Sequence, residues 1–262
     1  MATYLDRIVA DHRAAAAMDV RPLDALVGAA ERGDPCRGFR AALAGADRLA
    51  VISEIKRRSP SKGDLKPSLE PAELARAYVR GGASCLSVLT DATYFGGSVS
   101  DLQHARAAVA LPVLRKDFTV SAHDVCDARV MGADCVLLIA AVLGTEEMAA
   151  LHSLAVRLGL DVLVEVHDEH ELQNALAVGA TMIGVNQRDL VTFEVDHERA
   201  VRMAGVIPDG IVKVAESGVR GEADARSLAD AGYDAVLVGE SLVTATDPAS
   251  ALDALRVSRS PA

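Results

Sequence analysis

The chain lacks tryptophan, and aromatic residues make up 3% of it. No stacking platform for single-stranded nucleic acid is evident in such a composition. Cationic charge is also short: 27 lysines and arginines face 37 aspartates and glutamates, for a formal net charge of −10. An acidic balance argues against nucleic acid as the main partner, because holding a phosphate backbone needs a basic face. The four cysteines, Cys36, Cys85, Cys126 and Cys135, show no C-x-x-C spacing. Cys85 and Cys135 lie in apolar runs, where a thiol acts as a small hydrophobe. This usage predicts a reducing compartment and no disulfide framework. No apolar run approaches the roughly 20 residues of a membrane span. Asp6, Arg7, Asp11 and His12 interrupt any signal-like start, so the expectation is a soluble cytoplasmic chain without membrane contact. H-E-x-x-H, Walker A and G-x-G-x-x-G motifs are absent, and no metal or cofactor is expected. Ser217 in A-E-S-G-V lacks the first glycine of a nucleophile elbow.

What is present is rhythm. A length of 262 residues with 50% hydrophobic content suits one α/β barrel or two smaller domains. Residues 1–48 read as helices: Tyr4, Leu5, Ile8, Val9 and Ala14 to Ala17 make an apolar stripe, Pro22 opens a second helix, and Phe39 to Ala46 a third. After them, strand-like runs occur at Leu49–Lys56, Cys85–Thr90, Pro112–Lys116, Asp134–Ile139, Val162–Val166, Met182–Asn186, Ile211–Glu216 and Ala235–Gly239. Helix-length segments separate them. Eight βα units without a composition break predict a closed (β/α)₈ TIM barrel over residues 49–262, with residues 1–48 as an N-terminal helical extension of the same domain. The phrases Gly82-Ala-Ser-Cys, Gly132-Ala-Asp-Cys, Gly179-Ala-Thr-Met and Gly232-Tyr-Asp-Ala recur roughly every 50 residues before even-numbered strands. They mark a (βα)₂ quarter repeated four times, each glycine a helix stop.

The odd strands carry the charge. They end in Glu54 and Lys56, in Lys116, in Glu165 and in Glu216. Alternate strands of such a barrel supply one interior layer, so these residues are expected to meet at the C-terminal mouth and perturb one another's pKa values. Glu54 and Lys56 alone fit a surface ion pair on an edge strand equally well. The loop after them, Arg57-Arg-Ser-Pro-Ser-Lys-Gly63, is a cationic patch in an acidic chain. Strands 7 and 8 end in Ser217-Gly218 and Gly239-Glu240. Loops at those positions are the recurrent phosphate site of the fold, where glycines let backbone N–H groups approach an anion. With Ser59 and Lys56 beside them, a phosphomonoester is favoured. His167-x-x-His170 is set aside as a solvated helix start. The N-terminal helices and the Arg57–Ser68 loop are expected to close over the mouth.

The runs Glu54-Ile-Lys-Arg-Arg-Ser-Pro-Ser-Lys-Gly63, Ser87-Val-Leu-Thr90, Tyr94-Phe-Gly-Gly-Ser98, Leu114-Arg-Lys-Asp-Phe118, Leu163-Val-Glu-Val166, Gly184-Val-Asn-Gln-Arg-Asp-Leu190, Val214-Ala-Glu-Ser-Gly218 and Val238-Gly-Glu-Ser-Leu242 closely resemble the indole-3-glycerol phosphate synthase family of tryptophan biosynthesis. The resemblance covers nearly the whole chain. It implies a lyase that closes and decarboxylates 1-(2-carboxyphenylamino)-1-deoxyribulose 5-phosphate, without a cofactor. It assigns catalysis to Glu54, Lys56, Lys116, Glu165, Asn186, Glu216 and Ser217. Substrate binding falls to Ser59, Phe95, Phe118, Leu137, Arg188, Leu190, Gly218, Gly239 and Glu240. Gln187 departs from the pattern and carries little weight. The expected partner is a phosphorylated small molecule, and the expected state is a monomer, with a weak homodimer as the alternative. Two other readings stay open: an isomerase acting on a phosphoribosyl aminoarene, and a non-catalytic barrel that binds a phosphometabolite.

Overall fold

The computed structural model describes residues 3–189 and 191–259. Among them, the strands that form the barrel are β1 (Ala50–Ile55), β2 (Cys85–Leu89), β3 (Val113–Lys116), β4 (Cys135–Ile139), β5 (Asp161–Val166), β6 (Met182–Asn186), β7 (Val212–Glu216) and β8 (Ala235–Val238). All pair in parallel with their sequence neighbours, and β1 closes the ring against β8. Ala50 lies beside Ala235 across that seam, while Ile52 lies beside Cys85 of β2. Each strand agrees with its sequence-based range to within one residue at either end. No strand in the ring is an edge, so the edge-strand reading of Glu54 and Lys56 falls away.

Period-two alternation sorts each strand into two apolar layers. Ile52, Cys85, Leu114, Leu137, Leu163, Met182, Val214 and Leu237 fill the barrel interior. Val51, Leu86, Val113, Val136, Val164, Ile183 and Val236 face the surrounding helices. Both faces are buried, which is why these strands read as unbroken apolar runs. A one-residue slip would exchange the layers and carry Lys116 and Glu165 out among the helices. With about 1.5–3 kcal/mol at stake per large apolar side chain, the register is strongly held.

The helices are α1 (Tyr4–Ala17), α2 (Leu23–Glu31), α3 (Phe39–Leu43), α4 (Pro71–Gly81), α5 (Val99–Ala108), α6 (Ala122–Val130), α7 (Thr145–Arg157), α8 (Glu169–Ala177), α9 (Arg199–Ala204), α10 (Glu222–Asp230), α11 (Glu240–Val243) and α12 (Pro248–Asp253). Gly82, Gly132, Gly179 and Gly232, the four of the repeated phrase, all take positive φ, from 81° at Gly179 to 97° at Gly132. A side chain there would be strained, so the repeat is a backbone requirement.

The extension divides into three tasks. α3 inserts Phe39 and Leu43, both fully buried, into the interior layer as the floor of the barrel. α2 packs on α6 at the flank. α1 alone crosses the mouth. Its His12 Nε2 lies 3.1 Å from Asp91 Oδ2, Arg13 pairs with Glu147 at 2.8 Å, and the Tyr4 ring meets Tyr94 and Phe193 edge-on at 5.7 and 5.6 Å. The expectation that the N-terminal helices together cover the mouth is corrected accordingly. The cationic loop after β1 is itself folded: Arg58–Ser59 and Gly63–Asp64 form a short antiparallel ladder, and Arg57 bonds Asp101 and the Leu69 carbonyl.

Candidate active site

At the mouth, β3, β5 and β7 bring their last inward-facing residues into contact. Lys116 Nζ donates to Glu165 Oε2 at 2.9 Å and to Glu216 Oε2 at 3.0 Å. From β6, Asn186 Nδ2 donates to Glu165 Oε1 at 2.9 Å. From β1 and its following residue, Glu54 and Lys56 form a direct ion pair, as their two-residue spacing predicts. Two glycines make room for these carboxylates. A Cβ on Gly184 would collide with Glu216 Oε1, and one on Gly239 with Glu54 Oε1. Gly184 escaped the sequence reading, although a lone glycine inside the β-run Met182-Ile-Gly-Val-Asn signals a close approach.

Glu54, Glu165 and Glu216 are all buried, and three carboxylates share two lysines. The consequences are electrostatic. Burial disfavours the Lys116 ammonium, but Glu165, Glu216 and Glu54 outweigh it and raise the lysine well above its ordinary range. Burial pushes the Glu165 carboxyl up. Lys116, His167 and Asn186 overcome that and hold it below the usual carboxylate range. Glu216 goes the other way: burial, with repulsion from Glu165 and Glu54, lifts it to about 7 against the opposing pull of Lys116. Its Oε1 atom is buried and has no hydrogen-bond partner among the described residues.

These groups open into a cavity of about 660 Å³. Phe95, Phe118 and Leu137 form an apolar wall, the two phenyl rings 6.5 Å apart. Across from them lie Ser59, Ser217, Gly218, Gly239 and Glu240. Ser217 at φ 66° and Gly218 at φ 76° turn the chain sharply after β7; a left-handed serine is uncommon and marks a held conformation. Gln187, discounted on sequence, is buried and braces that turn by donating to the Ser217 carbonyl at 2.8 Å. Arg188 lines the cavity; its backbone N–H donates to Asn186 Oδ1 and its guanidinium to the Phe193 carbonyl, both at 3.0 Å. Every residue named from sequence for catalysis or binding thus borders this cavity, except Leu190, which lies outside the described residues. Phe193, His197 and Arg220 line it too and had no signal in the sequence, since they sit on irregular loops.

Two histidines depart from expectation. His12, Asp91 and Asp117 cluster closely enough to hold a cation. Their atoms are nevertheless committed: Asp91 Oδ1 accepts the Tyr94 and Phe95 N–H groups, and Asp117 accepts the Phe118 N–H, the Thr90 hydroxyl and the Arg115 guanidinium. The cluster therefore works as a latch for α1. His170 is exposed as expected, but His167 is largely buried beside Glu165, which corrects its reading as a solvated helix start.

A closed (β/α)₈ barrel with carboxylates and lysines paired in its mouth, beside an apolar wall and glycine-bearing loops, defines an acid–base barrel enzyme. Residues 5–255 match the family model for indole-3-glycerol phosphate synthase. Curated relatives agree. An indole-3-glycerol phosphate synthase from Leptothrix cholodnii is 47% identical over 97% of this chain and 99% of its own length. One from Nocardioides sp. is 51% identical over 84% of this chain and 82% of its own. The indole-3-glycerol phosphate synthase 2 of Streptomyces coelicolor is 52% identical over 84% and 85%. The chain belongs to this family, and its activity is that family's carboxy-lyase reaction of tryptophan biosynthesis. Among solved structures, a thiamine phosphate pyrophosphorylase from Pyrococcus furiosus superimposes with a TM-score of 0.59 at 20% identity, over 79% of this chain and 93% of that one; it shares the fold.

Proposed function

We propose that the mouth cavity closes the indole ring with the following division of labour. The Lys116 ammonium polarises and protonates the ketone oxygen of the substrate as the ring carbon bearing the carboxylate attacks the carbonyl. A carbon–carbon bond forms, carbon dioxide leaves, and the electron pair it leaves behind restores the aromatic ring. The new hydroxyl then departs as water with a proton from a lysine ammonium, while Glu165 takes a proton from the adjacent carbon. Lys56, paired with Glu54, holds the substrate's anionic groups and is the second acid. Asn186, Arg188 and Ser217 orient substrate and acid. Phe95, Phe118 and Leu137, with Leu190, wall the aromatic ring. Ser59, Gly218, Gly239 and the backbone of Glu240 take the phosphate, in keeping with the use of loops 7 and 8 across this fold.

The observation that carries this reading is Lys116 held between Glu165 and Glu216 within hydrogen-bond distance of both. Carboxylates win over desolvation at this lysine, so it rests as an ammonium but a weak acid. It becomes a stronger one when Glu165 is neutralised by the proton it removes. Glu216, at about 7, is poised to gain or lose a proton at neutral pH, and it touches the lysine it would resupply. The reading also takes the chain to act as a monomer in the cytoplasm, where its four free thiols stay reduced; sedimentation velocity checks the monomer.

The test mixes the purified protein with carboxyphenylamino-deoxyribulose phosphate and follows indole fluorescence, a window kept clear by the absence of tryptophan from the chain. A rise is expected, with release of carbon dioxide. Lys116→Ala is expected to slow it by about 10² or more with the fold intact. Conversion without carbon dioxide would instead indicate an isomerase, and wild-type turnover in the variant would overturn the assignment of the acid.

A further inference from the structure

His167 stands one alternation beyond Glu165 on β5, at the entry to α8. Its Nδ1 lies 3.0 Å from Glu171 Oε2, and the same oxygen accepts the His167 backbone N–H at 2.8 Å. Glu171 is fixed in turn. It belongs to the first turn of α8, where the Asp168 side chain caps the helix by accepting the Glu171 N–H at 2.8 Å. The ring orientation is therefore set by the start of a helix. That orientation aims Nε2 at Glu165 Oε1, 3.7 Å away. Nε2 is buried and has no hydrogen-bond partner among the described residues, an arrangement that is costly if it persists. A buried donor waiting just beyond bonding distance of a carboxylate calls for a reason.

The reason lies in what happens to Glu165 during a reaction. At rest its Oε2 is held by Lys116 and its Oε1 by Asn186. Once Lys116 turns to the substrate oxygen, Glu165 loses its ammonium, and a buried carboxylate without one is costly. We propose that His167, clamped by Glu171, is a positioning residue for Glu165, whose Nε2–H closes on Oε1 when Lys116 engages the substrate. A carboxylate–imidazole–carboxylate array of this kind fixes the tautomer and orientation of the ring. With Nδ1 donating to Glu171, an unprotonated Nε2 would set its lone pair against Glu165, so the array favours the imidazolium.

The charges around the ring agree. Glu165 faces it from β5, Glu171 from α8 and Arg199 from α9. Burial and Arg199 work against its charge, while the Glu171 hydrogen bond and both carboxylates outweigh them and raise His167 above 6.5. As pH climbs through that raised value the reserve donor is lost, so turnover falls on the alkaline side.

This inference rests on Glu165 acting in the ring closure, and the experiment separates the two. Turnover of carboxyphenylamino-deoxyribulose phosphate is measured across pH for the wild type, His167→Ala, His167→Gln and Glu171→Gln, with the His167 imidazole titrated by NMR in parallel. His167→Ala is expected to lower kcat by about tenfold with KM changed less than twofold. His167→Gln, which keeps a donor, is expected to recover most of kcat and to lose the imidazole inflection. Glu171→Gln keeps an acceptor for Nδ1 but removes the charge, so the imidazole titration and the alkaline limb are both expected to move to lower pH. Wild-type kcat and an unchanged profile in His167→Gln and Glu171→Gln would overturn the positioning role even if His167→Ala failed to fold. No turnover by the wild type would overturn the ring-closure reading and this one with it.

Discussion

The two ends of the barrel bury carboxylates in opposite manners. At the N-terminal end one buried and two half-buried aspartates each hold a backbone N–H group. Asp134, fully buried, accepts the Arg37 and Val113 N–H groups at 2.8 Å and pairs with Arg106. Asp161 accepts the Arg40 N–H at 2.9 Å, and Asp234 holds the Lys213 N–H at 2.8 Å and Arg259 at 2.6 Å. These bonds tie the extension and the C-terminal segment to the strand starts. At the C-terminal end, Glu54, Glu165 and Glu216 share Lys56 and Lys116, and a Glu216 oxygen has no partner among the described residues. Native structures satisfy buried polar groups almost everywhere, so a buried carboxylate oxygen without a partner calls for a reason. One end is built to stay put. The other, in the proposed division of labour, passes protons.

Substitutions at the two ends sharpen that contrast. The largest effect belongs to the mouth: Glu165→Gln is expected to lower kcat by about 10² or more while a thermal melt stays close to wild type. Asp134→Ala should do the reverse. It strands Arg106 and two backbone N–H groups, so a urea titration is expected to show a loss of about 3 kcal/mol or more, with kcat per folded molecule unchanged. If both substitutions damaged stability alike, the division between the ends would fail.

Glu216 offers a subtler contrast in pH. Its pKa is raised from 4.5 to about 7 in the fold, so the folded state binds the proton more tightly than the unfolded chain. That favours folding below pH 4.5 and loses the benefit as pH rises towards 7. Glu216→Gln is expected to flatten this part of the stability–pH curve, followed by urea midpoints at each pH. The smallest effect is at the latch. His12 is raised above 6.5 because Asp91 and Asp117 outweigh its burial. Its contribution is therefore complete below pH 6.5 and fades as pH rises through the folded value. His12→Asn is expected to cost under about 1 kcal/mol, more at pH 5.5 than at pH 8.5, and to speed amide exchange in α1.

Much of this was legible in the chain because it is local. The eight runs, the positive-φ glycines before the even strands and the inward phase of Glu54, Lys116, Glu165 and Glu216 follow from period-two alternation and helix-stop chemistry, and neither requires knowledge of distant residues. Motif resemblance then named the family. The largely buried His167 is not legible for the opposite reason: its meaning depends on Glu165 and Glu171 arriving from two sides, and the i, i+3 pair with His170 is what the linear chain displays. Gln187 carries little weight in the family pattern, and its partner, the Ser217 carbonyl, lies on the next strand's loop, where the linear chain does not show it. The task of each N-terminal helix was equally hidden, since floor, flank and mouth are distinguished only by where the closed ring places them. The sequence by itself determined the repeat, the layers and the charged side chains at the ends of the odd strands. Closure of the ring alone decided which carboxylates share a cation, because the count of charges is a property of the chain and their sharing is a property of distance.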